Sequence, residues 1–291
     1  MSIRLPTVEA LRAFGAISVL WMHCIWLGPW DFPRGLGAWF HHGWLGVDLF
    51  LIISGFATTR ALFQGLNSPQ TQPLCNYWRN RLARIYPLYL LTCVVFRFSV
   101  YNLSDQNRAV CLHWISQLPG LCEGFFLGVL IAKFAQYRDD AGFIATAADR
   151  RNTAIIFASG LVSSILLVIL LEDVNQQYWD TWLFPTLFRS AVALAFALVV
   201  WAAVRFHAER PQCAANKHNP LQTIAERLGA WSYGIYLWHL PVLLMLKKST
   251  HLEGQGALLF LLTLSIAVAL AAASYRWLEQ PCMQWARRRA R

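Results

Sequence analysis

Arg12 and His23 lie eleven residues apart in the apolar run "EALRAFGAISVLWMHCIWL". Eleven residues are about three helical turns, so both side chains project from one helix face, roughly 16 Å apart along the axis. An imidazole can act as a general base and a guanidinium can hold an anion. Ionisable groups in an apolar segment usually carry function, here chemistry across a membrane. The bland alternative is an arginine snorkelling to water and a histidine bonded to a neighbouring carbonyl.

Three further groups invite the same question. Asp48 stands early in "HHGWLGVDLFLIISGF", at a depth similar to that of His23, where a carboxylate requires an adjoining histidine, arginine or water-lined cavity. Arg79, Arg81 and Arg84 in "WRNRLARIYPLY" either mark a cytoplasmic boundary or hold phosphates bidentately. Tyr233, Tyr236 and His239 recur every three residues in "LGAWSYGIYLWHLPVLLML", beside Pro241, as a polar stripe or a helix-packing stripe.

The elements that position these residues are membrane helices. Hydrophobic residues make up 57% of the 291 and charged residues 14%, against roughly 25% charged in soluble chains. The charges cannot cover a globular surface, so the chain reads as an all-α integral membrane protein. Apolar runs and their polar flanks place eight transmembrane helices near residues 7–28, 43–64, 84–100, 113–135, 153–171, 181–204, 228–246 and 254–277. Residues 1–291 then form a single transmembrane domain with no fused soluble domain. The first run is read as a retained helix because Glu9 follows Arg4, the run is long, and no small-residue cleavage pattern follows it.

Basic residues test the arrangement. Sixteen fall in the termini and alternate loops, and four in the other loops. By the positive-inside rule both termini face the cytoplasm. The net charge of +10 is thereby explained by topology, and its dispersal gives no nucleic-acid footprint. Seven cysteines form no CxxC pair and no metal-ligand spacing, so they are read as structural and no metal is expected.

Taken together, "RLPTVEALRAFGAISVLWMH", "GWLGVDLFLIISGF", "WRNRLARIYPLYLL", "LGAWSYGIYLWHLPV" and "YRWLEQPC" resemble, in order, the motifs of the acyltransferase 3 family of bacterial membrane acyltransferases. The resemblance implies transfer of an acyl group, commonly acetyl, from cytoplasmic acyl-CoA to a hydroxyl of a glycan, a lipid-linked sugar or a small molecule. It implies a multi-pass protein of the bacterial cytoplasmic (inner) membrane, in contact with membrane lipids. The family's basic residue eleven positions before a histidine matches Arg12 and His23. Its Arg-x-x-Arg motif, associated with the acyl-CoA donor, matches Arg81 and Arg84, with Arg79 beside them. His23 is then the general base, and Asp48 orients its imidazole or stabilises its protonated form. Arg12 positions the donor arm or stabilises charge on the thioester oxygen, its depth favouring the donor. Direct transfer and an acyl-histidine intermediate both stay open, with His239, Tyr233, Tyr236 and Glu123 as substrate-side or supporting groups.

One departure stands out. Family members usually have about ten helices, whereas this chain runs from its third helix almost directly into a later one. Two helices are therefore expected to be missing from the middle, with Trp114, Glu123 and Phe125 as remnants of the lost segment, or Glu123 as a polar group at a helix interface. Two rival readings follow: a shortened member that is inactive or completed by a partner, and a transporter or flippase using Asp48, His23 and His239 as a proton path.

Overall fold

The computed structural model describes residues 5–27, 37–66, 73–100, 122–143, 145–174, 183–208, 220–249 and 255–288, all helix, turn or short connection, with no strand among them. In chain order the helices are α1 (Pro6–Leu27), a short α2 (Ala38–His41) with a 3-10 turn (Gly43–Leu45), α3 (Gly46–Leu66), α4 (Pro73–Val100), α5 (Cys122–Asp140), α6 (Ala147–Val174), α7 (Leu183–Ala208), α8 (Pro220–Ser249) and α9 (Gly256–Ser274). A π-helical turn (Tyr275–Glu279) then leads into α10 (Gln280–Arg288). Trp114, and the start of the helix expected near 113–135, lie outside the described residues.

Local chemistry explains many of the helix ends. Prolines open α1, α4 and α8, where the missing N–H costs nothing and the fixed φ suits a helix. A capping box opens α6: the Asp149 N–H donates to Thr146 Oγ1 at 3.2 Å, and the Thr146 N–H to Asp149 Oδ2 at 3.0 Å. Gly142, at φ 61°, closes α5. The following Phe143 N–H reaches back to the Arg138 carbonyl at 3.2 Å, as a Schellman cap requires.

Several helices run longer than hydropathy alone predicts. Arg79, Arg81 and Arg84 ride on α4 itself, which starts at Pro73, whereas the sequence places them just ahead of a helix beginning near 84. Polar residues at the water-facing end of a helix lower hydropathy without breaking the hydrogen-bond ladder, so the apolar run understates the helix. Five stretches are long and apolar enough to cross a membrane among the described residues: Pro6–Leu27, Gly43–Leu66, Ala147–Val174, Leu187–Ala208 and Gly256–Ala286. The expected spans in α4, α5 and α8 are helical where described and lie outside that set. Large apolar side chains such as Phe126 and Leu166 lie 65% and 60% exposed, as lipid-facing residues do.

Two apolar clusters organise the bundle. One gathers Leu49 and Ile52 of α3, Ile131 of α5, Leu171 of α6 and Val200 of α7. The other gathers Leu20 of α1, Leu88 of α4, Ile235 and Leu243 of α8 and Ala267 of α9. Helix α1 lies at the seam, packing against α3 and α7 on one side and α8 and α9 on the other. Small residues permit the tightest crossings, as in membrane helices generally. A Cβ on Gly128 of α5 would collide with the Ile52 carbonyl of α3, and one on Gly229 of α8 would fall 2.5 Å from the Glu9 carbonyl oxygen of α1.

Candidate active site

Helices α1 and α8 bring His23 and His239 together. His23 Nδ1 and His239 Nε2 are 3.3 Å apart, with ring centroids at 5.0 Å. Each Nδ1 also faces a backbone carbonyl one turn or less back along its own helix: His23 that of Val19 at 2.9 Å, and His239 that of Tyr236. A carbonyl only accepts, so both Nδ1 atoms are the protonated donors, assigned here from the network. His239 Nε2 then presents its lone pair to the His23 Nδ1–H. The remaining ring nitrogen, His23 Nε2, carries the lone pair that a general base needs.

The tyrosines of the α8 stripe divide their work. The Tyr233 hydroxyl donates to the Ile85 carbonyl at 3.2 Å and ties α8 to α4. Tyr236 supplies the carbonyl that fixes His239, and its ring lies against Phe50 of α3. The stripe therefore serves both packing and the histidine pair.

Toward the N-terminal end of α1 lies an arginine group. Arg12 pairs with Glu9 at 3.2 Å and lies within electrostatic reach of Arg81 and Arg84 on α4. Arg81 is held by three hydrogen bonds: it donates to Thr58 Oγ1 at 2.6 Å, Ser54 Oγ at 2.7 Å and the Tyr77 hydroxyl at 2.9 Å. Arg79 donates to Asn76 Oδ1 at 2.6 Å on its own helix. Arg84, by contrast, makes no hydrogen bond or ion pair among the described residues, and faces Glu279 only at electrostatic range. The two arginines of the Arg-x-x-Arg motif thus differ: Arg81 clamps α4 to α3, while the donors of Arg84 are unengaged among the described residues.

Asp48 does not join His23. Its Oδ1 pairs with Arg189 of α7 at 3.3 Å, and Arg189 also lies over the Trp44 ring. Register and rotation are the reasons. Helix α3 runs antiparallel to α1, with Gly43 against Ser18 and Gly46 against Gly15, so Asp48 lies nearer the level of Ala13 than that of His23, contrary to the similar depth expected. Phe50 faces α1 and α8, with its ring near Gly15 and Tyr236. Asp48, two residues and about 200° away, points into the other half of the bundle. Glu123 lies there too, accepting from Ser190 Oγ at 2.9 Å and within electrostatic reach of Asp48. Arg189 is the functional candidate that motif reasoning missed; its signal was a lone arginine inside the apolar run of α7.

A helical membrane bundle with an imidazole pair and an arginine group at two levels of its central helix, each completed by a neighbouring helix, defines the class. The sequence matches the acyltransferase 3 family, described as an acyltransferase domain, over residues 5–101 and 101–276, and the chain belongs to that family. It is similar to the O-acetyltransferase OatA of Staphylococcus aureus, 22% identical over 372 positions that take in 95% of this chain and 57% of that protein. It is also similar to the peptidoglycan O-acetyltransferase OatA of Listeria monocytogenes, at 19% identity over 95% of this chain and 55% of that protein. A putative peptidoglycan O-acetyltransferase, YrhL of Bacillus subtilis, is 22% identical over 95% of this chain and 54% of its own length. The chain thus spans little more than half the length of these relatives. Alignments of 372 positions drawn from a 291-residue chain leave many of the relatives' positions opposite gaps. The two matched segments meet at residue 101, where the shortening is expected, so the chain is a shortened member. No solved structure matches it.

Proposed function

We propose that the chain is a membrane O-acyltransferase that moves an acetyl or other short acyl group from cytoplasmic acyl-CoA to a hydroxyl of a surface or exported glycan. The observation that carries this reading is the His23–His239 pair, joined along α1 to an arginine group about three turns away. Peptidoglycan, in the names of the Listeria and Bacillus relatives, is one acceptor of this class. In this reading α4, α5 and α8 join the five apolar stretches as spans, both termini lie at the cytoplasmic face, and the bundle resides in a bacterial cytoplasmic membrane.

Arg84, with Arg12 beside it, takes the CoA phosphates, and Arg81 holds α4 in the geometry that presents them. The narrow pantetheine arm carries the thioester inward toward His23. His23 Nε2 removes the acceptor proton as the hydroxyl oxygen attacks the thioester carbonyl. The carbon–sulfur bond then breaks, and the imidazolium returns its proton to the departing thiolate. The charged ring is supported at Nδ1 by the Val19 carbonyl and the His239 lone pair, the part that sequence reading gave to Asp48. Asp48, Arg189 and Glu123 maintain the polar interior of the other half.

The test compares acyl content of surface glycan in a strain lacking the gene, complemented with wild type, His23→Ala or Arg84→Ala. Wild type restores acylation and both variants do not. Full restoration by both would sink the mechanism.

A further inference from the structure

Glu279 comes from the closing run "YRWLEQPC" and is 1% exposed, among the most deeply buried side chains of the protein. It is set in place by the π-helical turn Tyr275–Glu279, a geometry that recurs at functional sites. Its Oε2 is buried with no hydrogen-bond partner among the described residues, and Arg84 acts on it only from a distance. Burying a carboxylate without hydrogen bonds is costly, so a protein that retains one keeps it for a partner.

The surroundings show what that partner lacks and what it brings. Helix α4 packs against the π turn and α10, and Asn80 and Arg84, four residues apart, share one face of α4. Asn80 Oδ1 is also buried and without a partner, as is Glu9 Oε2 beside Arg12. Around Arg12 and Arg84 there are therefore three buried acceptor oxygens that no donor among the described residues reaches. A simple phosphate would satisfy the arginines and leave these acceptors empty. A molecule bearing phosphates and N–H groups together satisfies both sets.

We propose that Glu279, together with Asn80 one turn before Arg84, forms the acceptor half of the donor site, taking hydrogen bonds from N–H groups of acyl-CoA while Arg84 and Arg12 hold its phosphates. The inference rests on the donor reading above. Two parts of the donor offer such N–H groups: the adenine amino group and the pantetheine amides. Glu279 binds the donor and takes no part in proton transfer.

Calorimetric titration of the purified full chain in detergent tests it with three probes: CoA; 3′,5′-ADP, which lacks the arm; and 4′-phosphopantetheine, which lacks adenine. Glu279→Leu should weaken CoA about tenfold, the loss of one charge-assisted hydrogen bond. Glu279→Gln keeps an acceptor oxygen and should weaken CoA less. The smaller probe that loses affinity in step with CoA identifies the N–H source. A carboxylate that served only to offset the arginines would give the opposite sign: its removal, by Gln as by Leu, would tighten every phosphate-bearing probe, and that result overturns the proposal. Unchanged CoA affinity in both variants overturns it as well. Asn80→Ala reads out the same site should Glu279→Leu not fold. If wild type binds none of the probes, the donor reading falls first and this inference with it; if wild type binds CoA and Glu279→Gln binds it more tightly, this inference alone falls.

Discussion

Arg81→Ala and Arg84→Ala, three residues apart in one motif, are expected to fail in opposite ways. Arg81 makes three short hydrogen bonds, two to α3 and one along α4. Measured bonds between membrane helices average about 0.6 kcal/mol and reach about 1.7 kcal/mol, so losing three costs about 2–5 kcal/mol. For a chain of this size that corresponds to a melting temperature lower by roughly 5–10 °C. Arg84 makes no such bond among the described residues, so its removal should change stability by less than about 0.5 kcal/mol while weakening CoA at least tenfold through loss of a phosphate contact. Thermal unfolding in detergent and CoA titration, run on both variants, give the comparison. If Arg84→Ala melts early while Arg81→Ala is as stable as wild type, the division of labour drawn from the hydrogen bonds is wrong. The same holds if Arg81→Ala loses CoA with no loss of stability.

Other expectations follow from the same contacts. Arg189→Met strands Asp48, whose side chain is 7% exposed, and should destabilise by about 3–5 kcal/mol; adding Asp48→Asn should recover much of that in denaturation assays. Gly128→Leu forces α5 away from the Ile52 carbonyl, and its unfolding midpoint should fall by the equivalent of about 3 kcal/mol or more, whereas Gly142→Asn at the end of α5 should be nearly silent. His239→Leu should lower kcat about tenfold or more by removing one support of the imidazolium, with His239→Gln, which can still accept at the same place, recovering part; equal rates in Leu and wild type would refute the pairing.

Much of this was legible in the sequence. The helical class, the Arg12–His23 spacing and the need for a partner beside Asp48 all follow from hydropathy and helix geometry, and Arg189 is such a partner. What could not be read was azimuth. Depth in a membrane is set by position along a helix, but which neighbour a side chain meets depends on how the helix is rotated in the bundle. The expected shared depth of His23 and Asp48 does not hold either. Helix α3 runs antiparallel to α1, Gly43 against Ser18 and Gly46 against Gly15, so Asp48 lies beyond Gly15 and more than a turn from His23, and Phe50 beside Gly15 turns it toward the other half. The same limit hid the difference between Arg81 and Arg84: three residues are about 300° of turn, enough to send one toward Ser54 and Thr58 and leave the other beside Arg12. Glu279 was visible only as part of a closing motif, since burial and an unpartnered oxygen are properties of the folded chain.

The central claim is that His23 is the general base for transfer of an acyl group from a donor on one face to an acceptor on the other. It is tested most directly with inverted membrane vesicles, whose outward face is the cytoplasmic one, supplied with [14C]acetyl-CoA and assayed for label in the glycan fraction. Wild-type protein should label the glycan, and His23→Ala should lower the rate by about 10²–10⁴-fold while CoA affinity stays unchanged. Labelling by His23→Ala at the wild-type rate would contradict the account.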